Sequence, residues 1–296
     1  MAYKSRPHPV ANTVGPGNAG QSLYRLARVG TLGMAIDGKE LVREIQSRVV
    51  EECDYELEAR SQEAFRELFE ATMEGAHVPA VVPARSARQV LTTVLDPGQN
   101  FYRFCDEASQ EERDRAALII FGTCFRCIFK HCIYNADPHP GNYLFAPGGD
   151  VTFLDFGCVR TFDPSMIEVW KSVAKAVLDD DEAKFRRHYP DLGFVPDRAK
   201  FDWTHQWEMM QYLYRPFLAQ GPFRYTHDYV RESYGLMLFD NPNRFRTAMP
   251  PEWLFLNRLQ WGLNSIMAHL GANAPFGTAY RAALEEPCEP LRVPGA

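Results

Sequence analysis

Asn135-Ala-Asp137-Pro-His139-Pro-Gly141-Asn142, followed after one short hydrophobic segment by Leu154-Asp155-Phe156-Gly157, is the stretch whose reading decides the fold. Between the runs, Val151-Thr-Phe-Leu154 reads as an apolar strand leading into Asp155, so the two motifs stand about one hairpin apart. An aspartate such as Asp137 can accept or orient the proton of an attacking hydroxyl. Asn142 can offer its side-chain carbonyl to a metal. Asp155, at a strand end, can take the Mg²⁺ that bridges nucleotide phosphates. Phosphoryl transfer needs these parts because its transition state is stabilised mainly by positioning and by cations on the phosphate oxygens. Each motif alone recurs by chance, as a turn aspartate or a strand-end cap; their order and spacing carry the reading.

Composition narrows the alternatives. A chain of 296 residues, 46% hydrophobic and 24% charged, can bury a sizeable core in one large domain or two lobes. The net charge of −6 without a basic block argues against nucleic acid as a partner. Seven scattered cysteines, with no apolar leader after Met1, suggest free thiols in a reducing, cytoplasmic setting. The longest apolar stretch, 116–134, is interrupted by Arg126 and Lys130 and reads as a buried helix, not a membrane span.

Along the chain, Gly15-Pro-Gly17-Asn-Ala-Gly20 looks like a phosphate-cradling loop but lacks a preceding apolar strand, and reads as a turn. Leu41, Ile45, Val49, Cys53 and Leu57 recur at four-residue steps and predict a helix over 38–74. Residues 78–83 and 88–93 read as two short strands, with the turn Asp96-Pro97-Gly98 near a lobe boundary. A long helix is expected over 111–134. Asp163 is the expected N-cap and Pro164 the first residue of a helix running to Leu178; Asp179-Asp-Asp-Glu182 should be a solvated turn, and a last helix is expected over 251–270. Cys124, Cys127, His131 and Cys132 share one predicted helix and read as core rather than a zinc site, whose ligands usually come from several elements. His139 reads as a hydrogen-bonder that orders its loop.

Glu51-Glu52-Cys53-Asp54-Tyr55-Glu56-Leu57-Glu58 packs five acids into eight residues of the long helix, and Asp54 and Glu58 lie one turn apart on one face. A solvated acidic face is the plain reading of that run. Taken with the two motifs above, with Val78-Pro-Ala-Val-Val-Pro83, Val90-Leu-Thr-Thr93 and Asn257-Arg258…Gly262-Leu263, the chain resembles the UbiB/AarF-type atypical kinases, which include mitochondrial coenzyme Q-supporting members. The resemblance implies an α+β, protein-kinase-like two-lobed fold: an incomplete N-lobe over 1–98 and a mainly helical C-lobe over 99–296. It implies ATP and Mg²⁺ as cofactors, Asp137 as the catalytic-loop aspartate, Asn142 and Asp155 as metal ligands, and Glu58 as the partner of a nucleotide-binding lysine. Glu52 and Asp54 match the family's E-x-D pair, which meets a lysine-glycine-glutamine motif in an N-terminal extension.

Lys4 stands where the nucleotide lysine is expected, with Met1-Ala-Tyr-Lys4 as the end of its strand; a frayed terminal lysine is the other reading. The alanine-rich loop, the first strands and the lysine-glycine-glutamine extension have no counterpart before it, which suggests an N-terminally truncated member. Asn135 replaces a histidine common in bacterial relatives, at a position that mainly supports the loop. The implied function is Mg²⁺-ATP-dependent phosphotransfer or ATP hydrolysis supporting isoprenoid quinone or lipid metabolism, with quinone-synthesis proteins or isoprenoid lipids as partners and peripheral attachment at the inner face of a membrane. A non-catalytic pseudokinase scaffold is the rival reading, and a small-molecule phosphotransferase a third.

Overall fold

The computed structural model describes residues 55–248 and 250–293. Lys4, Glu52, Asp54, the 15–20 glycine run and the first part of the 38–74 helix lie outside the described residues.

The four-residue periodicity of the acidic helix continues into helix α1, Tyr55–Thr72, where Ser61, Phe65 and Phe69 extend the Leu57 register and are buried together with Gln62 and Leu68. Two polar groups of α1 hold the next segment: Gln62 donates to the Pro79 carbonyl at 2.5 Å, and Glu63 accepts from Val81 N at 2.7 Å. That segment departs from expectation. Among the described residues, the regular strand that precedes it is β1, Ala76–His77; the predicted strands at 78–83 and 88–93 reduce to isolated bridges, Val81 with Thr93 and Ala87 with Val90. Pro79 and Pro83 lack the N–H that a continuous ladder needs, and the chain turns into a 3₁₀ segment at Pro83–Arg85.

Strand β2, Gln99–Asn100, leads into α2, Phe101–Glu107, which Asn100 caps by accepting from Arg103 N. Helix α3, Gln110–Phe129, opens on a reciprocal capping box between Ser109 and Glu112. It is the central core helix, burying Ala116, Ala117, Ile120, Phe121, Phe125, Ile128 and Phe129. It ends five residues before the expected boundary of 134, because Cys132 takes φ +51° and the chain passes into strand β3, Ile133–Asn135.

Strands β4, Tyr143–Phe145, and β5, Val151–Phe153, form the expected hairpin, and β5 pairs in parallel with β1 in a sheet ordered β1-β5-β4-β2. Strand β6, Val159–Thr161, pairs antiparallel with β3. Beyond it the chain is mostly helical. Helix α4, Pro164–Leu178, starts as predicted, with Asp163 accepting from Ser165 N at 2.8 Å. Residues 179–181 are exposed, and Asp181 caps α5, Glu182–His188. Helices α6, Trp203–Leu213, and α7, Arg215–Leu218, precede strand β7, Phe223–Arg224, and helix α8, His227–Tyr234. A π-helical turn, Gly235–Phe239, follows. Helix α9, Pro251–Leu270, matches its predicted range, and strand β8, Asn273–Ala274, and helix α10, Phe276–Glu285, complete the order.

One cysteine expectation is corrected. Cys132 and Cys288 form a disulfide, while Cys105, Cys124 and Cys127 are free. The two partners lie 156 residues apart in sequence. The C-terminal segment brings them together by running beside the end of α3, with Glu289 N donating to the Lys130 carbonyl at 2.6 Å and Leu291 N to that of His131 at 2.9 Å. Cys124 and Cys127 sit on α3, where burial pushes both thiols upward.

Candidate active site: a loop pair clamped by two ladders

The hairpin register pairs Tyr143 with Phe153, which makes Asn142 and Leu154 the next opposed positions; Leu154 N donates to the Asn142 carbonyl at 3.0 Å. Asp155 follows directly. The second ladder, β3 with β6, closes the other side: Asn135 opposes Val159, and Ala136 N donates to the Cys158 carbonyl at 2.8 Å. The two loops, 136–141 and 154–158, are therefore held between the ladders. Each ladder has only three residue pairs, but together they fix both ends of each loop.

Inside this clamp the hydrogen bonds are specific. Asn142 Nδ2 donates to the Asp137 Oδ2 carboxylate and to the Asp137 main-chain carbonyl, both at 3.0 Å. Oδ1 of this buried asparagine is then the atom left for a cation. Asp155 is also buried, and its Oδ1 accepts from Gly157 N at 3.0 Å. His139 Nδ1 accepts from Gly141 N at 3.0 Å, the loop-ordering role read from sequence. Asn135 joins the two loops: Oδ1 accepts from Asp137 N at 3.2 Å, and Nδ2 donates to the Asp155 carbonyl. That is the supporting role expected where relatives carry histidine.

Glu58 arrives from α1. A Cβ placed on Gly157 would lie 3.5 Å from Glu58 Oε2 and 3.4 Å from Asp155 Oδ1, so the α1 carboxylate sits beside the Asp155-Phe156-Gly157 turn. Phe156 anchors this approach, its ring 5.0 Å from that of Phe65 on the same helix. Of the residues proposed from sequence, the structure therefore brings together Asp137, Asn142, Asp155 and Glu58.

Arg258 was not singled out from sequence as a site residue. It lies on α9, and its Nη2 donates to Asp137 Oδ1 across 121 positions of sequence. Helix α9 reaches the loop through Gly262, one turn further on the same face: a Cβ there would collide with the Pro138 ring and lie 2.9 Å from the Pro138 carbonyl oxygen. The legible signal was an arginine and a glycine at i, i+4, which share one face of a helix.

The donor set fits the implied metal. One buried carboxylate and one amide oxygen are hard ligands, and Mg²⁺ is usually bound through one or two carboxylates with phosphate oxygens and water completing the octahedron. No group of three His, Cys, Asp or Glu side chains suited to a self-sufficient metal site occurs among the described residues.

Comparison with known proteins agrees with this geometry. A family model described as the ABC1 atypical kinase-like domain matches residues 21–189, more than half of the chain. The chain belongs to this family, the UbiB/AarF atypical kinases. It is 28% identical over 237 residues to the mitochondrial atypical kinase COQ8B of Rattus norvegicus, covering 78% of this chain and 44% of that protein. It is 30% identical over 168 residues to the mitochondrial atypical kinase coq-8 of Caenorhabditis elegans, covering 55% of this chain and 22% of that protein. The chain thus spans less than half the length of either relative. Among solved structures, a complex of Rv3197 with erythromycin from Mycobacterium tuberculosis superposes with a TM-score of 0.72 over 92% of this chain and 68% of that one, at 20% identity. That likeness shows the α+β kinase-like fold.

Proposed function

We propose that this atypical kinase binds Mg²⁺-ATP and transfers or hydrolyses its terminal phosphoryl group, in support of isoprenoid quinone or lipid metabolism. The observation that carries the reading is the convergence of Asp137, Asn142 and Asp155 between the two short ladders, with Glu58 beside the Gly157 turn. Asn142 Oδ1 and the Asp155 carboxylate would hold Mg²⁺, which supplies charge to the phosphate oxygens as negative charge shifts in the transition state. Asp137 orients the attacking hydroxyl or water and can take up its proton. Glu58 would position the nucleotide lysine, for which Lys4 is the candidate. Residues 1–98 would contribute the nucleotide-facing lobe and 99–296 the helical lobe. Among the described residues, no helix is long and apolar enough to cross a membrane. Placement in the cytoplasm or at the inner face of a membrane, with quinone-synthesis proteins as partners, belongs to the same proposal.

A second reading, a nucleotide-responsive scaffold without turnover, is favoured by one feature: both Asp137 carboxylate oxygens are engaged, Oδ1 by Arg258 and Oδ2 by Asn142. Phosphate release from Mg²⁺-ATP, compared between the wild-type chain and Asp137→Asn, separates the two. Turnover abolished by Asp137→Asn supports the enzyme; Mg²⁺-dependent binding without turnover in either protein supports the scaffold. No binding in either refutes both.

A further inference from the structure

Helix α9 has two faces. Arg258 and Gly262 lie on the face that meets the catalytic loop. Trp253, Leu256, Gln260 and Leu263, at helical spacing on the opposite side, line a cavity of about 410 Å³ closed by α3, α6 and α10. Protein interiors pack to crystal-like density, and a void of this size within an aromatic core is not ordinary packing. Its volume falls in the range of small-molecule sites, about 300–1,000 Å³. The wall is apolar and aromatic, and the polar lining groups are chiefly side-chain amides and phenols, among them Gln206, Gln260 and Asn264. Among the described residues that line it, Arg244 is the one that is charged, and it is exposed at the mouth.

Two further features point to an occupant. Gln260 and Asn264 bring side-chain amides, each with N–H donors, to the cavity wall from α9. The mouth is built by the π-helical turn Gly235–Phe239, where Asp240 N donates to the Gly235 carbonyl at 2.9 Å, and Phe239 on that turn is 74% exposed. Single π-turns are frequent at functional sites.

We propose that this cavity binds a small, uncharged, mainly apolar molecule carrying a hydrogen-bond-accepting oxygen, at a site distinct from the nucleotide site. Away from Arg244 at the mouth, a charged ligand would meet no counter-charge among the described lining residues, and its desolvation would be uncompensated. A helix or strand of a partner protein would not fit a pocket of this volume. Because α9 separates the cavity from Asp137, the occupant does not reach the reacting phosphate. It acts as an effector or structural ligand and not as the phosphoryl acceptor.

Benzophenone, a neutral two-ring ketone with one acceptor oxygen, is the probe, and the full chain labelled with ¹⁵N at its indoles is the reporter. Trp170, Trp253 and Trp261 line the cavity, whereas Trp203 and Trp207 do not. The expected result is saturable movement of the first three indole resonances and none of the last two. Ala248→Phe, which narrows the cavity from a half-buried lining position, should weaken binding at least tenfold. Asp155→Asn should leave it unchanged, so failure here is independent of the nucleotide reading. Absence of saturable shifts, or equal movement of all five indoles as in surface adsorption, overturns the proposal. So does wild-type affinity in Ala248→Phe with an unaltered circular dichroism spectrum. If that variant does not fold, the wild-type pattern alone decides.

Discussion

Replacing Gly262 by alanine should damage a helix that alanine ordinarily stabilises. In an open helical position, Gly→Ala gains about 1 kcal/mol from restricted backbone entropy. Gly122, in the middle of α3, is such a position: nothing lies within 4 Å of a Cβ built there. At Gly262 the added methyl would overlap the Pro138 ring and sit 2.9 Å from the Pro138 carbonyl oxygen. Backbone and a proline ring cannot rotate away as a flexible side chain would, so α9 or the 136–141 loop must shift. Overpacking of this kind costs about 1–3 kcal/mol, which outweighs or cancels the propensity gain. Urea denaturation should therefore show Gly122→Ala more stable than wild type by up to about 1 kcal/mol, and Gly262→Ala less stable by about 0–2 kcal/mol. The displacement also falls on the residue next to Asp137, and a misplacement of about 1 Å can lower a catalysed rate by about 100-fold. Gly262→Ala as stable as Gly122→Ala, with unchanged turnover, would refute the close approach of α9 to the loop.

Arg258→Ala should lower stability by less than about 1 kcal/mol, because an ion pair whose arginine is half exposed contributes little; phosphate-release kinetics should nevertheless show a reduced kcat with the KM for ATP little changed, and equal loss in both would count against a role confined to Asp137. Asn135→Ala removes the bridge between the two loops and should cost about 1–3 kcal/mol by denaturant titration, since Asp137 N and the Asp155 carbonyl each lose a partner. Asp150 is held below the ordinary carboxylate range by its hydrogen bond to Arg115, opposed by desolvation and aided by His77. Its depressed folded-state value means its contribution is present above the unfolded carboxylate range and lost as pH falls through the folded value. Asp150→Asn should therefore flatten the stability profile below about pH 4 and leave its shape near neutrality unchanged; an unchanged acid limb would contradict this.

The candidate site's grouping was legible in sequence where chemistry and local geometry coincide. Asp137, Asn142 and Asp155 are close in sequence, and a single hairpin suffices to juxtapose the last two. The Asp163–Pro164 start of α4 and the span of α9 were legible for the same reason: capping and periodicity are local properties. The Arg258–Asp137 pair was not, because it depends on how α9 crosses a loop 121 residues away. The Cys132–Cys288 disulfide escaped notice similarly, since it follows from the C-terminal segment docking on the end of α3. The short strands expected at 78–83 and 88–93 failed where proline overrode β-branched composition. The α9 cavity is assembled from α3, α6, α9, α10 and the turn before α9, and no single stretch of sequence carries its signature.

The central claim, a Mg²⁺-nucleotide site built on Asp155, is tested most directly by the thermal stability of the chain with ATP, with and without Mg²⁺, beside Asp155→Asn. At a ligand concentration about 100 times the dissociation constant, binding should stabilise the fold by about 2.7 kcal/mol. The account predicts a rise in the unfolding midpoint that requires Mg²⁺ and disappears in Asp155→Asn. A midpoint unmoved by Mg²⁺-ATP in the wild-type chain, or moved equally in Asp155→Asn, would contradict it.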